Sequence, residues 1–306
     1  MAYRYDPDLE FLSKVSSEDL DILVTYLTED KDGEKRYTEE LTNSKQYKTY
    51  YPNHQRYWDL IAAELQCFGA NSLVTILRGG KGVLYREVLT DVCDKVDVKY
   101  GKNDAIEKIE SALLLEILKD SLEKMSPEER KQVVKELNLR TTNFTPQGIS
   151  AALQAAIKLS GFTAYKVALI VANAIAKTVL GRGLSLAANA GLTRVIGMFA
   201  GPIGWIITGL WTAVDIAGPA YRVTIPAVIQ VAFLRAQYMY GDTDEVGETS
   251  LSFSSCPECG HRIPQGTSAK FCMECGAKLQ QSFRCSTCSA RIQPGAKFCS
   301  ECGTRL

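Results

Sequence analysis

Apolar positions recur at helical spacing along most of the first 140 residues. Behind Ser16 and Ser17, which suit the start of a helix, Leu20, Leu23 and Leu27 share one face. Similar patterns predict helices over 57–68, 83–92, 104–125 and 126–137. Strand-like alternation is scarce. The pattern therefore predicts a mainly α fold, with a multi-helix body.

The pattern changes after residue 140, where the chain becomes rich in Ala, Gly and Ile. Helices are predicted from about 145 to 160, ended by Gly161, and from 164 to 180. Residues 195–214 then carry no charge, and 223–234 are uncharged again. Glycines and Pro202 weaken a single continuous helix over 195–214 and favour shorter pieces. Two interpretations stay open: buried core helices, or an apolar hairpin over 195–234 that enters a bilayer conditionally.

The chain ends in a near-repeat: CPECGHRIPQGTSAKFCMECGAKL at 256–279 and CSTCSARIQPGAKFCSECGTRL at 285–306. Each copy supplies two Cys-x-x-Cys pairs, and four thiolates complete a tetrahedral zinc site. We therefore predict a small tandem zinc-ribbon module, with short β-hairpins around two structural Zn²⁺ ions. The predicted ligands are Cys256, Cys259, Cys272, Cys275, Cys285, Cys288, Cys299 and Cys302. Disulfides or an iron–sulfur cluster fit the paired spacing less well, and a full sulfur shell argues against catalytic zinc.

These changes divide the chain into five parts. We predict an acidic helical N-terminal domain at 1–140 and an apolar, cationic helical region at 141–240. A polar linker at 241–255 follows, and then the ribbons at 256–279 and 285–306.

Charge separates the first two parts, although the 306-residue chain has a formal net charge of zero. Residues 1–140 carry 21 basic and 27 acidic side chains, whereas 141–240 carry seven basic side chains and one acid. An apolar, cationic segment is attracted to an acidic protein face or to anionic lipid. The tail has seven charges of each sign and few aromatic residues, which disfavours nucleic acid as its partner.

The first residues lack the apolar core of a signal peptide, so we expect a cytoplasmic protein, with conditional inner-membrane association if the hairpin enters a bilayer. In the body, Cys67 and Cys93 suit small buried side chains.

Three other motifs invite a functional interpretation. Residues 28–39 resemble an EF-hand loop, but Thr28 stands at the first ligand position, so a helix–helix turn fits better. Residues 78–82 (RGGKG) lack the remaining features of a P-loop. His54 has no nucleophile beside it in sequence, and we do not expect it to be catalytic.

Four segments carry a family resemblance: residues 6–42, YWDLIAAELQCFGANS at 57–72, RGGKGVLYREVLTDVCDKV at 78–96, and 201–232. Across about 3–240 the chain resembles the YaaW family of bacterial proteins, whose body has been likened to the ubiquinol-cytochrome c chaperone family. The resemblance implies no established activity. The zinc tail departs from the simplest members.

These observations favour a non-enzymatic zinc-binding interaction protein, an adaptor or chaperone-like body whose ribbons contact another protein. The alternative is a membrane-acting effector, pore-forming or membrane-inserting, that uses 195–234 to contact lipid. An enzyme is the least favoured class, and the sequence does not specify an oligomeric state.

Overall fold

The computed structural model describes residues 3–30, 32–36, 39–69, 82–184, 192–214 and 221–241, together with four short strands between 254 and 292. The chain forms two compact units, Met1–Asp244 and Glu245–Leu306. The described part of the first unit is helical, apart from a single β-bridge between Glu29 and Lys35. The prediction of a mainly α body is confirmed.

The helices that the structure describes in the first unit are numbered here along the chain. They are α1 (Ser17–Thr28), α2 (Lys45–Tyr50), α3 (Trp58–Phe68), α4 (Tyr85–Lys95), α5 (Ile106–Glu123), α6 (Pro127–Glu136), α7 (Pro146–Leu159), α8 (Gly161–Leu180), α9 (Thr193–Val214) and α10 (Tyr221–Tyr240). Short 3₁₀ helices occur at Glu10–Lys14, Leu41–Asn43 and His54–Tyr57.

Local capping signals set several helix starts as predicted. The Ser126 side chain accepts a hydrogen bond from the Glu129 amide, and the Glu129 carboxylate accepts one from the Ser126 amide at 2.8 Å. This reciprocal pair satisfies two amides that a helix start leaves without partners. Ser16 caps α1 through a single bond of this kind, which its side chain accepts from the Asp19 amide. Boundaries differ from the prediction by a few residues, and Gly161 begins α8 instead of ending the helix before it, since α7 ends at Leu159.

Helix α10 lies at the centre of the helical unit. Thirteen consecutive residues, Val223–Arg235, are buried, as expected for a helix that is apolar on every side. It packs on α8 and also contacts α1, α4 and α5. Helices α8 and α10 run antiparallel. Gly161, at the start of α8, lies against the ring of Tyr240, at the end of α10, and Tyr165 stacks on Phe233 with ring centroids 6.1 Å apart.

Helix α9 also packs on α8 and runs through Pro202 without interruption. The expectation that glycines and Pro202 would divide 195–214 into short pieces is therefore wrong. A proline inside a helix removes one backbone hydrogen bond. Four buried residues that flank it, Val195, Phe199, Ile203 and Ile207, pack into the core on both sides of the proline and stabilise the continuous helix.

The described residues of the second unit form two small antiparallel hairpins. Strand β1 (Ser254–Ser255) pairs with β2 (Arg262–Ile263), and β3 (Phe283–Arg284) pairs with β4 (Arg291–Ile292). The first strand occupies the last two residues of the predicted linker.

Candidate functional site

The two hairpins of the second unit share one register. Ser255 pairs with Arg262 in the first hairpin, and Arg284 pairs with Arg291 in the second. In each case six residues separate the paired positions, and they begin with a Cys-x-x-Cys sequence. A hairpin that closes around such a pair is the usual frame for two of the four sulfur ligands of a zinc ribbon.

The eight predicted cysteine ligands lie outside the described residues. Their chemistry fits zinc, because each repeat offers four soft thiolates and no competing oxygen or histidine is needed to complete a tetrahedron. Among the described residues, no group of three or more His, Cys, Asp or Glu side chains is placed to hold a metal ion. The candidate metal centre is therefore the tail.

In the helical unit, His54 is buried in a polar link that joins three parts of the chain. Its Nε2 lies 3.2 Å from Asp21 Oδ1, and its Nδ1 lies 2.7 Å from the Tyr57 hydroxyl. Arg182, two residues beyond the end of α8, donates to the other Asp21 oxygen at 3.4 Å. The hydrogen bond from His54 lowers the pKa of the Asp21 carboxyl, with smaller contributions from Arg182.

This link borders a cleft of about 460 Å³, which also includes Ser17 and Glu18. The cleft does not form a nucleophile–base pair. The Ser17 hydroxyl donates to the Asn53 side chain at 2.9 Å and accepts from the Gln55 amide, while both His54 nitrogens face Asp21 and Tyr57. The geometry fits a structural link between α1, the 54–57 helix and the end of α8.

A second polar link is buried deeper, and the sequence analysis missed it. Arg235 Nε donates to both Glu110 oxygens, at 3.1 and 2.9 Å, and its Nη2 donates to the Asp8 carbonyl at 2.6 Å. The Tyr85 hydroxyl donates to Glu110 at 2.7 Å. Burial raises the pKa of the Glu110 carboxyl, and the Arg235 charge and the Tyr85 hydroxyl offset part of that shift.

The N-terminal segment is tied to the body by a third buried acid. Asp6 accepts a hydrogen bond from the Tyr85 amide at 2.6 Å and is 1% exposed. The Gln66 side chain donates to the Arg4 carbonyl at 2.8 Å, and the Arg4 amide donates back to it. Arg235 also lies over the Phe11 ring, 4.3 Å from its centroid. Residues 4–11 are thus anchored to α3, α4 and α10.

The EF-hand-like segment forms a turn rather than a cation loop. Asp30 Oδ1 accepts hydrogen bonds from the Asp32 and Glu34 amides, both at 2.9 Å. Gly33 has φ +79°, a left-handed conformation that glycine adopts without strain. The Asp30 carboxylate therefore organises its own backbone, as an Asx turn does.

Of the two body cysteines, Cys93 is buried as expected, whereas Cys67 is only half-buried. Cys93 is fully buried, and burial raises the pKa of its thiol to about 12. Cys67 is half-buried, and burial likewise raises its pKa. Both thiols are protonated at neutral pH and are poor nucleophiles. Residues 78–81 of the RGGKG segment lie outside the described residues.

The described residues of the predicted hairpin over 195–234 belong to α9 and α10, two helices that differ in burial. Most of α10 is core, whereas α9 presents an outer face to solvent, and Trp205 on that face is 77% exposed. By length and composition, α8 and residues 193–210 of α9 are each long and apolar enough to span a membrane. Of the apolar 18-residue stretch in each helix, 61% is buried in α8 and 22% in α9. Core helices of soluble proteins pass the same criteria, and the burial of α8 fits that class.

Comparison with known proteins finds matches to three parts of the chain. A family model described as ubiquinol-cytochrome C chaperone matches residues 53–230, and a double zinc ribbon model matches 256–303. A domain of unknown function, DUF3944, matches 3–37. The chain therefore combines a helical body that matches the ubiquinol-cytochrome C chaperone family with a double zinc ribbon.

The chain belongs to the UPF0174 family, which includes YaaW. It is 51% identical to a UPF0174 protein of Helicobacter pylori strain J99 over 246 residues, covering 80% of this chain and 97% of the relative. It is 32% identical to UPF0174 protein YaaW of Escherichia coli K12 over 239 residues, covering 76% and 95%. No solved structure matches the chain.

Proposed function

We propose that this chain is a non-enzymatic adaptor or chaperone-like protein whose two zinc-bound ribbons contact another protein. The observation that carries the proposal is the second unit, with its two hairpins in the same register, each placing a Cys-x-x-Cys sequence between its strands. Two Cys₄ sites would hold one Zn²⁺ each. With four sulfur ligands, neither ion has an open position for substrate, so the metal stabilises a rigid surface.

The helical unit supports the same proposal. Two of its buried acids bind groups within the unit: Asp6 accepts from the Tyr85 amide, and Glu110 accepts from the Tyr85 hydroxyl and from Arg235. Such contacts fix the helices relative to one another. The body would therefore serve as a rigid support, while the ribbons recognise the partner.

The proposal can be tested by crosslinking the full chain to its partners in cells and then measuring the affinity of the purified partner. We expect the Cys256→Ser/Cys259→Ser variant to bind at least roughly tenfold more weakly, since the first ribbon loses its metal and its fold. Cys67→Ser is the matched control, because it removes a thiol from the body and leaves the ribbons intact. Equal affinity of the ribbon variant and the control would overturn the proposal.

A membrane-acting effector is a second candidate, favoured by the exposed outer face of α9. In this alternative α9 would meet lipid first, and insertion of the whole 195–234 segment would require α10 to leave the core. Flotation of the full chain with anionic vesicles tests it. Co-flotation that is lost in Trp205→Lys would support lipid contact, and absence of flotation would remove this candidate.

A further inference from the structure

Residues 41–58 are an acid-free stretch within an acidic part of the chain. Over residues 1–140 the acids outnumber the bases, yet 41–58 contain no Asp or Glu. Within this stretch, helix α2 packs against the 54–57 helix. Five exposed residues of these two helices and the turn between them form what we call the α2 surface: Lys45, Lys48, Tyr50, Tyr51 and Arg56.

The donor groups of the α2 surface are not used within the described part of the chain. There, Lys45, Lys48 and Arg56 form no ion pair, and the hydroxyls of Tyr50 and Tyr51 form no hydrogen bond. Lysine and arginine side chains only donate hydrogen bonds, and a tyrosine hydroxyl can donate one as well. The surface therefore offers positive charge and donors, which is the chemistry that a carboxylate requires.

The two exposed tyrosines are held in place by neighbouring side chains. Tyr51 is 57% exposed, and its ring packs on Tyr47 with centroids 5.1 Å apart. The edge of the same ring meets His54, with centroids 5.8 Å apart. Tyr50 is 42% exposed, and the Arg56 guanidinium lies over it, 5.8 Å from its centroid. Aromatic side chains that are already ordered lose little conformational freedom on binding, which suits a recognition surface.

We propose that the α2 surface binds an extended acidic segment of a partner protein. The Asp and Glu side chains of that segment accept hydrogen bonds from the cations, while the tyrosines add apolar contact and hydroxyl donors. Lys45 and Lys48 are three residues apart on α2, so their Cβ atoms are about 5 to 6 Å apart. Alternate residues of an extended chain project to the same side about 7 Å apart. Two carboxylates of one segment can therefore reach both ammonium groups.

The same surface is less suited to single-stranded nucleic acid. Such a ligand follows a cationic groove and stacks its bases on open aromatic faces. Here Tyr51 already packs on Tyr47, and Arg56 lies over Tyr50. The excess of acids over residues 1–140 also opposes a long polyanion. This inference goes beyond the proposed function, because the contact lies on the helical body and does not use the ribbons.

Fluorescence anisotropy of the full chain with a labelled peptide of alternating Glu and Ser tests the proposal. We expect saturable binding that weakens as salt is added, because exposed charges are screened. Lys45→Gln/Lys48→Gln should raise the Kd at least roughly fivefold, and Arg56→Gln should raise it in the same direction. A peptide of alternating Gln and Ser should not bind.

Lys99→Gln/Lys102→Gln is the matched control, because it removes the same charge from two exposed lysines that are also three residues apart. It should keep the wild-type Kd, and every variant should keep the thermal melting of wild type, since the replaced side chains are exposed. Cys256→Ser/Cys259→Ser should bind the Glu–Ser peptide as wild type does, which separates this contact from that of the ribbons.

Three results would overturn the proposal. The first is a wild-type chain that does not bind the Glu–Ser peptide. The second is an equal loss of affinity in the two lysine-pair variants, which would show a general attraction to the charge of the chain. The third is an oligothymidylate that binds through Lys45 and Lys48 more tightly than the peptide does.

Discussion

Arg235 and Glu110 form an ion pair inside the helical unit, with Nε and Oε2 2.9 Å apart and side chains 8% and 5% exposed. The pair joins α10 to α5 across 125 residues of sequence. Because Arg235 also donates to the Asp8 carbonyl, the N-terminal segment is attached to the same point. The centre of the fold is therefore held by charge as well as by apolar packing.

Removal of one partner should be costly. Glu110→Leu leaves the Arg235 guanidinium buried without its counter-charge, and we expect a loss of about 3 to 5 kcal/mol in the free energy of unfolding. The double variant Glu110→Leu/Arg235→Met should lose less than Glu110→Leu alone. Urea unfolding measures all three chains. Lys119→Ala breaks a more exposed pair with Glu116 and should cost less than about 1 kcal/mol. A loss in Lys119→Ala as large as that in Glu110→Leu would contradict a special role for the buried Arg235–Glu110 pair.

Glu64 should make the stability depend on pH. Burial raises the pKa of its carboxyl to about 7 from an ordinary value of 4.5, although it accepts hydrogen bonds from the Glu40 amide. Below pH 4.5 both folded and unfolded chains carry the proton. As the pH rises from 4.5 through 7, the unfolded chain releases the proton first, and up to about 3 kcal/mol of stability is lost.

The variant Glu64→Gln cannot titrate at this position. Its free energy of unfolding, relative to wild type, should therefore increase between pH 4.5 and 8, as measured by urea unfolding at several pH values. Glu128→Gln, at an exposed position in the first turn of α6, controls for the loss of a surface carboxylate. A flat difference for Glu64→Gln would show that Glu64 ionises as readily in the folded chain as in the unfolded one.

His54 should contribute to stability through its buried contacts. His54→Ala removes hydrogen bonds to Asp21 and Tyr57, and we expect a loss of about 2 to 4 kcal/mol. Arg182→Ala should cost less than about 1 kcal/mol, because Arg182 is 59% exposed. Thermal unfolding of the two variants checks this order.

Because the pKa of Asp21 is lowered, the stability that its contacts contribute should be present above about pH 4 and lost at lower pH.

The zinc assignment predicts a stoichiometry for each variant. We expect two zinc ions per wild-type chain, one in Cys256→Ser/Cys259→Ser, and none when Cys285→Ser/Cys288→Ser is added. Elemental analysis of purified protein gives these numbers. Cys67→Ser should retain both ions. Two ions in the first double variant would refute the ligand set, and a chelator should leave the helical circular dichroism of the body unchanged.

Sequence patterns predicted the helices better than the links between them. The start of α6 follows from Ser126, Pro127 and Glu129 alone, because a capping box is complete within four residues. The partnership of Asp6 with Tyr85, or of Glu110 with Arg235, depends on how distant helices pack, and no local pattern specifies it.

Pro202 shows a second limit of local reasoning. Its low helix propensity predicts a break, but the burial of residues on both sides outweighs the missing hydrogen bond. His54 shows the opposite case. The sequence shows no nucleophile beside His54, and it could not indicate that Asp21 and Tyr57 complete the contacts of this histidine.

The bond from Arg235 to Asp8 ends on a backbone carbonyl, a group that every amino acid supplies. Substitutions at position 8 can therefore preserve this attachment, whereas nearly any substitution at position 235 removes it. In a saturation mutagenesis experiment, position 8 should tolerate many residue types that position 235 rejects. Tolerance to substitution along the N-terminal segment would therefore reveal less about how that segment is attached than tolerance to substitution at Arg235.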